Sequence, residues 1–125
     1  MITVWEADLD MAPNRLSLLA EALSPDERSR AARYRRPADA RRFVAGRGLL
    51  RALLARCLDV GPAAVRFAYG PHGKPALTGM GQDLRFNVSH SAGRWLCAVA
   101  LGRDVGVDLE AVDEARAALE MSRVL

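Results

Sequence analysis

Of the 18 basic residues in this 125-residue sequence, only Lys74 is a lysine. Cysteine is almost as scarce. Cys57 and Cys97 lie in separate apolar segments without metal-ligand spacing, which excludes a thiolate zinc site and a disulfide framework and predicts two small buried thiols. No apolar run approaches the roughly 20 residues of a membrane-spanning helix. The opening MITVWEADLD is acidic and lacks a signal-peptide pattern, so a cytoplasmic location is the expectation. No internal repeat, low-complexity linker, Walker loop, helix-turn-helix or RNP-like signature occurs.

What is present reads as one small globular domain over residues 1–125. Half the residues are hydrophobic and 26% are charged, enough for a modest core. The net charge is +3, yet Arg28 to Arg56 holds ten arginines against the single acid Asp39. A GC-rich coding sequence would be a bland cause of such a bias. Its physical effect is an attraction for phosphates or an acidic partner.

Periodicity gives the expected order of elements. ITVW, residues 2–5, reads as a strand, and Leu16, Leu19 and Leu23 recur at helical spacing over 15–23. Ser24-Pro25-Asp26-Glu27 is a capping box opening a second helix that runs to about Arg35, before Pro37. A long helix over 38–58 carries Phe43, Leu50, Leu54, Cys57 and Leu58 as its stripe and stops at Gly61-Pro62. Gly46 and Gly48 inside it predict close packing against another element. The period then falls to two: Val65, Phe67 and Tyr69 alternate, as do Leu84, Phe86 and Val88. RWLCAVAL, 94–101, is apolar on both faces like a central strand. Val105, Val107 and Leu109 form a last strand before a helical tail from about Asp113. The fold class expected is α+β, with helices packed on a mainly antiparallel sheet.

Four stretches could carry chemistry. In GVDLE, residues 106–110, Asp108 and Glu110 share a strand face at about 6.5–7 Å along the backbone, a hard-oxygen pair suited to Mg²⁺. Taken alone, a half-exposed edge with two solvated acids accounts for that strand better. FNVSHS, 86–91, places Asn87, Ser89, His90 and Ser91 near a strand end, which suits a phosphate; ordinary turn chemistry is the bland alternative. A Ser-His nucleophile is disfavoured, because neighbours on a strand project to opposite faces. GPHGKP, 70–75, lets backbone approach a flat or anionic ligand beside Lys74, although a plain hairpin turn looks much the same. Among the arginines, Arg35, Arg36 and Arg41 read as a solvated face. Arg33 and Arg42 flank the break at Pro37 and could aim at one phosphate, and Arg47 and Arg51 could do likewise one turn apart.

In this order GRGLLR, GKP, FNVSHS and GVDLE resemble the 4′-phosphopantetheinyl transferases of the type that activates surfactin synthetase, over about residues 24–112. The resemblance implies transfer of the phosphopantetheine arm of coenzyme A to a serine of an acyl or peptidyl carrier protein, as in polyketide or nonribosomal peptide biosynthesis. It implies that Gly73, Lys74 and Pro75 lie against the adenosine end, and that Ser89 and His90 hold the 3′-phosphate. Arg33 and Arg42 would add charge on the phosphates, and Asp108 would bind Mg²⁺ with Glu110 as second ligand. Such enzymes pair two similar halves, and the second carries a W-x-x-K-E-type motif that this sequence does not contain. The expectation is therefore an N-terminal half, supplying the coenzyme A and metal side of the site. Alone, it would expose an apolar face and dimerise or be poorly soluble. The small single-domain transferases have the G-x-D and Ser-His motifs in the opposite order. Two other classes remain open: a non-catalytic coenzyme A or nucleotide binding module, and an Arg-rich nucleic-acid-binding domain.

Overall fold

The computed structural model describes residues 2–79, 83–101 and 123–124. The chain falls into two compact units, one of Met1–Ala7 with Arg66–Leu125 and one of Asp8–Val65. The first contains the strands and the second the helices, which gives the α+β class expected from the sequence.

The helical unit holds α1 (Pro13–Ala20), α2 (Pro25–Ala32), α3 (Pro37–Leu58) and a 3₁₀ turn, Pro62–Ala64. Proline stands at the start of each helix, where its fixed φ helps and its missing N–H is not needed. Ser24 caps α2 as expected: its Oγ accepts from the Glu27 N–H at 3.2 Å, and Glu27 Oε1 accepts from the Ser24 N–H at 2.9 Å. α2 ends at Ala32, short of Arg35. α1 spans 13–20 where the leucine spacing predicted 15–23, and the guanidinium of Arg28 bonds the carbonyls of Ala20, Glu21 and Leu23 just beyond it. α3 closes on Asp59 in the left-handed region (φ 56°), ahead of Gly61.

Close packing at Gly48 is borne out. A Cβ there would stand 2.6 Å from Leu19 Cβ, so α1 and α3 approach each other only over a glycine. The buried set of α3 differs from the expected stripe. Ala45, Leu49, Leu50, Leu53, Leu54 and Ala55 are buried together with Arg47 and Arg51, whereas Phe43 is half-buried and Cys57 exposed. The helix is covered along more of its girth than a single stripe allows, because α1, α2 and the 3₁₀ turn all pack on it. The expectation of two buried thiols therefore holds for Cys97 alone; Cys57 sits in the last turn of α3, although partial burial still pushes its thiol pKa up.

In the other unit β1 (Ile2–Asp8), β4 (Leu84–Ser91), β5 (Arg94–Leu101) and β6 (Arg123–Val124) form a sheet of order β4-β5-β1-β6. β2 (Phe67–Tyr69) and β3 (Pro75–Leu77) make a separate antiparallel ribbon. β5 lies between β4 and β1, and its Trp95 and Cys97–Ala100 are buried, as its two-sided apolar sequence predicts. Glu6 of β1 and Arg94 of β5 form an ion pair. β4 and β5 pair antiparallel from Leu84↔Leu101 to Ser91↔Arg94. Their two-residue loop, Ala92-Gly93, has positive φ at both positions, 49° and 83°, the mirror-image turn that matches strand twist. β6 pairs parallel with β1, Trp5 opposite Arg123. Strand therefore stands at the end of what the sequence read as a helical tail, since the outer edge of β1 offers backbone groups that need partners. The strand predicted at Val105–Leu109 lies outside the described residues, as do Asp108 and Glu110.

Candidate functional site

The residues singled out by the sequence fall into three local settings. Gly73, Lys74 and Pro75 belong to the β2–β3 hairpin, in which Tyr69 pairs with Pro75. The Gly73 N–H donates to the Gly70 carbonyl at 2.9 Å, and the Gly70 N–H donates to the Lys74 carbonyl at 3.1 Å. Gly73 sits at φ 77°, where a side chain would be strained. His72 and Lys74 are both exposed on this loop. The plain hairpin and the ligand-approach readings of GPHGKP thus share one geometry, a hydrogen-bonded turn holding a cationic side chain in solvent.

Ser89 and His90 lie in the last turn-ward stretch of β4. The register places Ser89 opposite Leu96 and His90 opposite Trp95, so the two side chains project to opposite faces of the strand. Ser89 is half-buried and His90 exposed. The ring of Phe67 meets Phe86 edge-on at 6.2 Å, and Phe86 shares its face of β4 with Val88 and His90. The ribbon bearing Gly73–Pro75 therefore meets β4 through the face that carries His90. Asn87 and Ser89 occupy the other face.

The arginines divide sharply. Arg33 is exposed, and its Nε donates to the Ser29 carbonyl at 3.4 Å. Arg42 holds Asp10 with two bonds, Nε to Oδ1 at 2.8 Å and Nη2 to Oδ2 at 3.0 Å. The hydrogen bond and charge of Arg42 lower the Asp10 pKa, and the same pair raises that of Arg42. Arg30 lies over the Phe43 ring at 4.7 Å, with Tyr34 beside that ring at 5.7 Å.

Arg47 and Arg51 do not face a ligand, contrary to the sequence reading. They are 8% and 3% exposed and converge on buried Glu27, Arg47 Nη1 to Oε2 at 3.1 Å and Arg51 Nε to Oε1 at 2.7 Å. Arg51 also donates to the carbonyls of Val65 at 2.7 Å and Pro62 at 3.0 Å. Burial alone would push the Glu27 carboxyl up, but hydrogen bonds from Arg51, the Ser24 N–H and Arg47 outweigh it and hold the pKa below its ordinary value. The sequence marked Glu27 only as a cap. Its second role was hidden because the partners lie 20 and 24 residues away. Asp10, the partner of Arg42, gave no signal at all. Among the described residues no group of three or more His, Cys, Asp or Glu could hold a metal ion. Nor is any helix among them long and apolar enough to cross a membrane.

The fold by itself places the chain in a structural class only. It is similar to the holo-(acyl-carrier-protein) synthase of Bacillus anthracis, solved in complex with CoA (3′,5′-ADP), with a TM-score of 0.63 at 22% identity over 82% of this chain and 96% of that one. It is also similar to the Helicobacter pylori holo-[acyl-carrier-protein] synthase in complex with coenzyme A, with a TM-score of 0.57 at 17% identity over 82% of this chain and 100% of that one. The sequence narrows the class. Residues 8–102 match the family profile described as 4′-phosphopantetheinyl transferase, N-terminal. The 4′-phosphopantetheinyl transferase HetI of Nostoc sp. is 44% identical over 111 residues, covering 87% of this chain and 47% of that protein. Sfp of Bacillus subtilis, another 4′-phosphopantetheinyl transferase, is 32% identical over 70% of this chain and 38% of its own length. The chain belongs to the 4′-phosphopantetheinyl transferase family and matches its N-terminal part. It spans less than half the length of these curated relatives.

Proposed function

We propose that the chain supplies the coenzyme A and metal-binding half of an enzyme that transfers the 4′-phosphopantetheine arm of coenzyme A to a serine of an acyl or peptidyl carrier protein, leaving adenosine 3′,5′-bisphosphate. The observation that carries this reading is the family match across residues 8–102. Gly73 and Pro75 lie against the adenosine end on the β2–β3 turn, and Lys74 offers a point charge there. His90 and the strand end at Ser89 hold the 3′-phosphate. The two side chains point to opposite faces of β4, so both reach one phosphate only where it sits at the end or outer edge of that strand. Arg33 and Arg42 add charge on the phosphates.

Asp108 and Glu110 are the metal ligands in this reading. Two carboxylates two residues apart in the sequence fit Mg²⁺, a hard cation that takes one or two carboxylates and fills its shell with water and phosphate oxygens. An ion held there would neutralise charge on the pyrophosphate. Phosphoryl transfer asks a protein mainly for positioning and charge neutralisation, which is what these residue types provide. The catalytic groups of the second half come from a further segment, another chain or a second copy. The exposed arginines favour an acidic carrier protein over a neutral one. A coenzyme A-dependent reaction fits the cytoplasmic location expected from the sequence.

The test is intact mass spectrometry of an apo carrier protein incubated with the chain, coenzyme A and Mg²⁺. A gain of one phosphopantetheine arm means that the chain assembles a complete site by itself. No gain with measurable coenzyme A binding identifies it as the binding half of a divided site. Absence of coenzyme A binding sinks the reading.

A further inference from the structure

Arg42 is not a loose surface cation. Asp10 takes two of its donors, Nε and Nη2, in the fork-to-fork geometry that fixes a guanidinium in its plane. Asp10 is itself held: its N–H donates to Asp8 Oδ1 at 2.9 Å, and the intervening Leu9 is buried. Among the described residues Arg42 makes no bond beyond those to Asp10, and its side chain is 37% exposed, which leaves the Nη1 donors open there.

We infer that Asp10 is a positioning residue for Arg42, locking the guanidinium so that its open edge is presented to a phosphate of the coenzyme substrate. The inference rests on the placement of Arg42 at those phosphates under Proposed function. The sign follows from what is redundant here and what is not. Asp10 also cancels one positive charge, which by itself weakens the pull on an anion. That pull is oversupplied, since Arg30, Arg33, Arg35, Arg36 and Arg41 are all exposed on the same helical unit. A pre-set fork is not oversupplied. An untethered arginine must freeze a long, mobile side chain at the moment of binding.

The experiment is isothermal titration of coenzyme A into the full chain and into D10A, D10N, D10E, R42A and the D10A/R42A pair, with thermal unfolding of each. R42A weakens binding, and D10A weakens it roughly fivefold, the scale of a well-aligned surface pair. D10N moves the same way. D10E, which keeps a carboxylate on a longer arm, recovers part of the loss. D10A has no further effect on R42A, because the coupling runs through the guanidinium. Melting temperatures stay within about 4 °C of one another, the span expected of exposed substitutions in a small domain. Tighter binding by D10A would show Asp10 to be a competitor and overturn the inference, as would an unchanged affinity beside a weakened R42A. An R42A variant that binds normally, or a parent chain that binds no coenzyme A, removes the underlying assignment as well.

Discussion

Replacing Glu27 with alanine tests the reasoning about the helical unit most severely. One carboxylate, 2% exposed, joins three parts of the chain: the first turn of α2 through the Ser24 N–H, the middle of α3 through Arg47 and Arg51, and, through Arg51, the carbonyls of Pro62 and Val65. Removing it leaves two buried guanidiniums that cannot shed their charge. Breaking a buried pair from one side costs about 3–5 kcal/mol, and half a capping box adds a further ~0.5–1 kcal/mol. The two losses share atoms and do not add fully, so about 4 kcal/mol is expected for E27A. Against a total of about 5–15 kcal/mol for a typical domain, that is a large fraction. Urea unfolding followed by the helical circular dichroism signal should show a midpoint lower by roughly 2 M, given a slope of ~1–3 kcal/mol per molar. A loss below about 1 kcal/mol would refute the argument, since that is the range of an exposed pair.

The same carboxylate sets a pH dependence. Its folded pKa lies below the ordinary 4.5, because three hydrogen bonds outweigh burial. A depressed carboxylate contributes stability that is complete above the unfolded value and is lost as pH falls through the folded one. The stability gap between the parent and E27Q should therefore stay constant from neutrality down to about pH 5 and shrink below it. A gap that widens in acid would mean that the carboxyl is held neutral instead.

Three further outcomes follow from single positions. G48A drives a Cβ to 2.6 Å from Leu19 Cβ and 3.1 Å from the Leu19 carbonyl oxygen, so α1 must shift. Strain of ~1–3 kcal/mol exceeds the roughly 1 kcal/mol gained in helix propensity, and a lower urea midpoint checks it. A92G relieves a non-glycine residue at φ 49° in the β4–β5 turn and should raise the melting temperature, by the equivalent of about 0.5–1 kcal/mol. D108A, on the proposed metal role, abolishes the Mg²⁺-dependent tightening of coenzyme A; tightening that survives in the variant removes Asp108 from that role.

Local grammar was legible wherever it is written in adjacent residues. The Ser24–Glu27 box opened α2 as expected, because both bonds of a capping box lie within one turn. RWLCAVAL proved to be the inner strand β5, since a run apolar on both faces, as from Trp95 to Leu101, suits a strand covered on both sides. Boundaries slipped where tertiary bonds finish a helix. α1 stops at Ala20, three residues before its last periodic leucine, and the carbonyls beyond it are satisfied by Arg28 from the next helix. The short pairing of Arg123–Val124 with β1 had no periodicity to announce it.

At the candidate site the same distinction decides what could be read. An arginine in a sequence is a charge without a direction, and four of them looked alike: Arg33, Arg42, Arg47 and Arg51. Burial separates them. Arg47 and Arg51 are consumed by Glu27, whereas Arg42 is aligned by Asp10 and keeps an open edge, and Arg33 stays in solvent. The number of arginines in this stretch therefore overstates the charge available to a ligand. GKP and FNVSHS each occupy one turn or one strand and are positioned by their own backbone, so their local geometry was legible from adjacent residues. If that distinction is sound, substitution of the exposed arginines should affect anion binding, while substitution at Arg47 or Arg51 should affect folding first.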